Sequence, residues 1–85
     1  MPHLDATPDL ILPILARSLG MELVQLEQRL DEDLEQLGLD SHGLMRCTLE
    51  VEAALGVDEL SLADEALETP RSLVQGYREA LARRS

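Results

Sequence analysis

Residues 40–56 run Asp40-Ser41-His42-Gly43-Leu44-Met45-Arg46-Cys47-Thr48-Leu49-Glu50-Val51-Glu52-Ala53-Ala54-Leu55-Gly56, and no other stretch of the chain is punctuated so fully as a helix. Asp40 has the side chain of an N-cap and is placed to accept the amide hydrogen of Gly43. Leu44, Met45, Cys47, Thr48, Val51 and Leu55 supply one broad apolar face. Gly56 stands where a helix ends in a left-handed residue. A start, a face and a stop agree over one segment.

The same grammar extends outward in both directions. Towards the C-terminus, Val57 to Leu60 reads as a connector and Ser61 to Leu67 as a short helix of about two turns. Thr69-Pro70 is a further helix start, with Thr as cap and Pro at the first helical position. Arg71 to Arg83 then forms the last helix, with Leu73, Val74, Tyr77 and Leu81 apolar and Arg83 and Arg84 at the end that favours cations. Towards the N-terminus, Met1 to Ala6 reads as a tail and Thr7-Pro8 as a helix start. Leu10, Ile11, Ile14, Leu15 and Leu19 recur at helical spacing, and Gly20 closes the run. Pro13 removes a backbone donor inside that helix and predicts a kink or a later start near Asp9.

Met21 to Leu37 carries two conflicting signals. Leu23, Leu26, Leu30, Leu34 and Leu37 follow helical spacing opposite Glu22, Asp31, Glu32, Asp33 and Glu35. The consecutive acids 31–33 repel one another and favour a break. The segment is expected to be a link with a helical portion.

Composition narrows the class. The 85 residues suit one domain, expected to span 1–85, and hydrophobic residues make up 45%, too many for a disordered acidic tail. Tyr77 is the only aromatic, which disfavours a sandwich or barrel. The expectation is an all-α chain, a small four-helix bundle with a long first connection and a short third helix. Formal net charge is −10, and all seven basic residues are Arg. Such a surface repels nucleic-acid phosphates and anionic membranes and favours steered encounter with basic proteins. Cys47 is the lone cysteine and has no internal partner, which fits a reduced, cytoplasmic setting and a monomer. The start of the chain lacks the pattern of a secretory signal. The apolar run Leu10 to Ala16 is far too short to span a bilayer.

Residues for catalysis are missing. His3 and His42 are the only imidazoles, and Asp40, Ser41 and His42, adjacent at a helix start, point in different directions and make a poor triad. There is no glycine-rich phosphate loop, and too few Cys and His for a metal centre. Asp31, Glu32 and Asp33 lack the spacing of a calcium loop and read as a solvated face.

Leu37-Gly38-Leu39-Asp40-Ser41 resembles the LGxDS signature of the phosphopantetheine-dependent carrier proteins, acyl and peptidyl. Leu55-Gly56-Val57 follows the serine at the spacing of that family's second helix. Leu19-Gly20 falls where its first helix ends, and Thr69-Pro70 where its fourth begins. The resemblance covers most of the chain, with one extra residue in the first connection. It implies a bundle of acyl-carrier type and a 4′-phosphopantetheine arm, drawn from coenzyme A, esterified to Ser41 with Asp40 capping the helix beside it. It also implies a protein with no catalytic residues of its own. Partners would be a phosphopantetheinyl transferase, an acyl or aminoacyl ligase or acyltransferase, and downstream biosynthetic enzymes. Elementary electrostatics agrees, because the first turn of a helix offers free N–H groups and a positive dipole end to a phosphodiester.

His42, Leu44, Met45, Arg46, Glu50 and Glu52 are the expected partner-reading residues of that second helix. Three positions depart from the family pattern. His42 replaces the usual Leu or Met, and Gly43 and Arg46 stand where fatty-acid carriers often have acids. Arg46 would repel a basic partner patch, which points to a dedicated carrier. Ser41-His42-Gly43 and Glu68-Thr69-Pro70 also resemble D-alanyl carrier proteins, so an aminoacyl cargo is open beside an acyl one. By the same resemblance Met45, Cys47, Val51, Leu55, Leu62, Ala66, Leu67, Leu73 and Tyr77 fall between the second, third and fourth helices, as plain core or as the walls of an acyl-chain site. The alternative reading is a non-catalytic acidic helical adaptor for one basic partner.

Overall fold

A computed structural model describes residues 7–57, 62 and 64–84, with the side chains of 7, 8 and 84 outside the description. Every element among them is helical. Helix α1 spans Thr7–Leu19, α2 Leu23–Glu27, α3 Ser41–Leu55 and α4 Pro70–Arg84; a single 3-10 turn, Asp64–Leu67, precedes α4. The chain is therefore the expected all-α bundle. α1 packs on α3, α4 and α2, and the 3-10 turn packs on α4.

Helix ends follow from their local chemistry. α3 is capped by Asp40, whose Oδ1 accepts the Gly43 amide at 2.7 Å. It closes at Gly56, φ 73°, where the Gly56 and Val57 amides donate back to Ala53 and Glu52 carbonyls. α1 ends in the same pair of bonds at Gly20 and Met21. At the start of α4 the Ser72 amide donates to Thr69 Oγ1 and the Thr69 amide to Ser72 Oγ, both at 3.0 Å, a reciprocal box built from two hydroxyls.

Several expectations are corrected. α1 does not start late at Asp9; it includes Thr7 and Pro8 and runs on through Pro13. Pro13 is exposed, so the carbonyl left without a donor one turn back lies on the wet side. The short helix expected over 61–67 is one 3-10 turn over Asp64–Leu67; residues 58–61 and 63 lie outside the description, as do the tail 1–6 and His3. α4 begins at Pro70, as the Thr69-Pro70 start implies, and runs one residue past the expected Arg83 to Arg84. Met45 is not core: it is 63% exposed.

The link between α1 and α3 is mostly irregular. α2 is its helical portion, and it ends at Glu27, before the acids 31–33. Leu26, Leu34, Leu37 and Leu39 are buried all the same. Two backbone bonds fasten the link to the corner before α4: Leu34 N–H to the Glu68 carbonyl, 2.8 Å, and Arg71 N–H to the Leu30 carbonyl, 2.9 Å. Arg71 Nε adds a bond to Asp31 at 2.7 Å.

The core gathers Ile11, Leu15, Leu26, Cys47, Val51, Leu73 and Tyr77, all fully buried. No Cα of α3 comes within 8 Å of one of α4. Tyr77 reaches across that gap from α4, and its hydroxyl donates to the Thr48 carbonyl at 3.5 Å. Gly76 lets the 3-10 turn approach α4, since a Cβ there would lie 2.5 Å from that of Ala66.

Candidate functional site: the N-terminus of α3

The approach to α3 is built in one turn of the link. Asp33 Oδ1 accepts the Glu35 amide at 2.8 Å, and Leu37 donates to the Asp33 carbonyl at 3.0 Å. Gly38 and Leu39 then donate back to Glu35 and Leu34 carbonyls, with Gly38 at φ 108°, a backbone that side-chain-bearing residues avoid. Leu39 turns inward and is buried. Asp40 is extended, φ −86° and ψ 179°, and Ser41 is the first residue of the helix.

Ser41 is exposed, as is Asp40. The Asp40 carboxylate takes the Gly43 amide and the Asp40 carbonyl takes that of Leu44 at 2.8 Å. The two earlier amides, of Ser41 and His42, have no hydrogen-bond acceptor among the described residues. They stand beside the Ser41 hydroxyl at the positive end of a 15-residue helix. A phosphodiester on that oxygen would meet both, so the residues present suit an esterified phosphopantetheine. Gly43 serves the cap by being small: a Cβ would lie 3.0 Å from Leu39 Cδ1 and 3.2 Å from Asp40 Oδ1.

Down the helix the expected partner residues separate. Ser41, Met45 and Leu49 follow one another at intervals of four on the exposed face, with Met45 63% and Leu49 59% exposed. His42 and Arg46 flank that ridge and are exposed. Leu44 turns the other way and packs on the core. Glu50 forms an ion pair with Arg17 of α1, so its charge is engaged within the molecule. Arg17, Ser18, Gly43, Arg46 and Glu50 line a shallow cleft between the two helices. Glu52 is half-buried on the side towards Tyr77, whose phenol is pushed well above the ordinary range, first by burial and then by the Glu52 charge. Cys47 is buried and burial pushes its thiol up. It offers no nucleophile at the surface.

Two participants were absent from the sequence-based set. Leu49 could have been found by continuing the interval from Ser41 through Met45. Arg17 could not, because its place beside Glu50 depends on how α1 lies on α3. Among the described residues there is no cluster of His, Cys, Asp or Glu able to hold a metal. None of the described helices is long and apolar enough to cross a membrane.

A capped helix offering an open hydroxyl, free amides and an apolar ridge has the features that suit a tethered group. The family model described as the phosphopantetheine attachment site matches residues 9–76, from α1 into α4. The chain belongs to that family, the carrier proteins that hold thioester intermediates on a covalent 4′-phosphopantetheine arm. Carrier domains of this kind are generally non-catalytic, are modified by a phosphopantetheinyl transferase, and work with biosynthetic enzymes. No curated protein and no solved structure gives a significant match.

Proposed function

We propose that the arm is esterified to Ser41 and that the chain is a single-domain, discrete carrier for a dedicated biosynthetic route or a specific ligase. The observation that carries the attachment is the exposed Ser41 hydroxyl at the first position of α3, beside two amides that the Asp40 cap leaves open. The cap holds the first turn in place and leaves the Ser41 and His42 amides open at the helix end that favours an anion. When bound, the arm supplies a terminal thiol that holds an acyl or aminoacyl group as a thioester. No base near Ser41 is required, because the modifying enzyme brings its own.

The dedicated role is supported by the charge pattern along the ridge. Arg46 is exposed beside Met45, and Glu50 is already paired, so a partner with a strongly basic patch meets a cation where it would seek an acid. Encounters are expected to be weak and rapid, steered by the net charge of −10, because a shuttle must leave each enzyme. Cys47 is buried, so no disulfide joins two copies of the chain, and the proposal takes the carrier as a monomer in a reducing, cytoplasmic setting.

The test incubates the protein with coenzyme A, magnesium and a broad-specificity phosphopantetheinyl transferase and reads intact mass. One phosphopantetheine unit is gained by the wild type and none by Ser41→Ala. A wild type that gains nothing, or a Ser41→Ala protein that still gains the unit, overturns the assignment; the first result is the one an acidic adaptor would give.

A further inference from the structure

The chain carries seven arginines against 17 acidic residues, and two of the seven line the cleft between α1 and α3. Arg17 comes from the last turn of α1 and Arg46 from the second turn of α3, with Ser18, Gly43 and Glu50 completing the lining. Glu50 pairs with Arg17, yet the Arg17 side chain stays 71% exposed. Arg46 is exposed, and its side chain has neither an ion pair nor a hydrogen bond among the described residues. Two guanidiniums against one carboxylate leave the lining net positive on a chain of net charge −10. The Ser18 hydroxyl already donates to the Ile14 carbonyl, so the guanidinium N–H groups are the side-chain donors the cleft has to offer. On the link side of Ser41 the sign reverses: Glu35 and Asp40 line a shallow concavity with the serine, and no cation does. The exposed side chains of Met45 and Leu49 run along α3 beside Arg46.

We propose that this cleft receives a carboxylate side chain, Asp or Glu, from an enzyme that acts on the arm, while an apolar side chain of the same enzyme covers Met45 and Leu49. That the partner is such an enzyme rests on the carrier reading; that the cleft takes a carboxylate rests on Arg17 and Arg46. A carboxylate seated there accepts charge-assisted hydrogen bonds from both guanidiniums, and Arg17 need not leave Glu50, because its fork has several N–H groups to share. Elsewhere a carboxylate approaches a surface of like charge and is turned away. The contact therefore sets the orientation in which a partner meets α3. Both arginines are exposed, so it adds little to affinity, and a shuttle can still leave. Arg46 thus does more than repel a basic patch: together with α1 it selects an acidic one.

The experiment titrates the isotope-labelled, full-length protein by NMR with two capped tripeptides, glutamate-leucine-glutamate and its lysine counterpart. The side-chain N–H signals of Arg17 and Arg46 and the methyl signals of Met45 and Leu49 are followed. The glutamate peptide is expected to move these signals, and the lysine peptide to leave them in place while it moves signals of the acidic link. Arg46→Gln should weaken the glutamate peptide about three- to fivefold, the loss of one exposed pair, and Arg46→Glu should pass the preference to the lysine peptide. Arg29→Gln, which removes a cation paired with Glu32 on the link, should change neither result. The proposal is overturned by a lysine peptide that moves the cleft signals as much, by a glutamate peptide that moves none of them, or by equal losses in the Arg46→Gln and Arg29→Gln proteins. Because the titration uses unmodified protein, its outcome is separate from the mass gain that decides attachment at Ser41.

Discussion

The link over residues 20–40 and helix α3 over Ser41–Leu55 are both rich in leucine at helical spacing, yet only α3 is a continuous helix. α3 has Asp40 to take the Gly43 amide in its first turn and Gly56 to close it. The link has a five-residue helix, turns, and backbone bonds that leave the segment for Glu68 and Arg71. Its leucines are nevertheless the better buried: Leu26 is 0% exposed, whereas Leu49 of α3 is 59% exposed. Spacing reports which side chains meet the core. Caps and hydrogen-bond partners decide what the backbone does between them.

The largest expected effect tests that reversal directly. Leu26→Ala, in the irregular segment, should cost about 2–5 kcal/mol of unfolding free energy in urea melts, whereas Leu49→Ala, in the regular one, should cost under about 0.5 kcal/mol. Equal losses would break the comparison. Next come the two glycine turns. Gly38 at φ 108° and Gly56 at φ 73° both have open space around an added Cβ, so only backbone strain is at stake. Alanine at either is expected to cost about 1–2 kcal/mol, with Gly38 the more sensitive because it lies further from the left-handed helical region. Asp40→Ala should cost about 1 kcal/mol and Asp40→Asn much less, read by thermal melting, since the amide side chain still accepts the Gly43 hydrogen bond.

The smallest effect is a pH dependence. Arg71, by hydrogen bond and charge, holds the Asp31 carboxyl below its ordinary range. A depressed carboxyl contributes stability above its unfolded value, about 4, and loses that contribution as pH falls through the lower folded value. Wild type and Asp31→Asn should therefore differ slightly in melting midpoint at neutral pH and converge in acid. Both side chains are exposed, so added salt should shrink the difference as well.

Much of this could be read in the sequence where the governing interaction is local. The Asp40 cap, the Gly56 stop and the Thr69-Pro70 start involve residues a few positions apart, and each appears where its residues imply. Ser61 to Leu67 has no cap signal of the same strength, and its described part is a 3-10 turn over Asp64–Leu67 with Leu62 outside any helix. Met45 was assigned to the core because an apolar residue beside Leu44 fits a broad face, although its angular position places it with Ser41 and Leu49. The Arg17–Glu50 pair, the Tyr77–Thr48 bond and the link's attachment to 68–71 join residues far apart in sequence, and nothing local announces them.

That attachment has a mechanical consequence for the residue at the head of α3. The amides of Leu34 and Arg71 stitch the stretch before Ser41 to the base of α4, and Leu39, next to the cap, is sunk in the core. A tug on the serine oxygen is therefore shared by three parts of the molecule at once. On the proposed attachment, the sweep of a group hung from that oxygen would be set by the length of its tether more than by movement of the anchored turn beneath it.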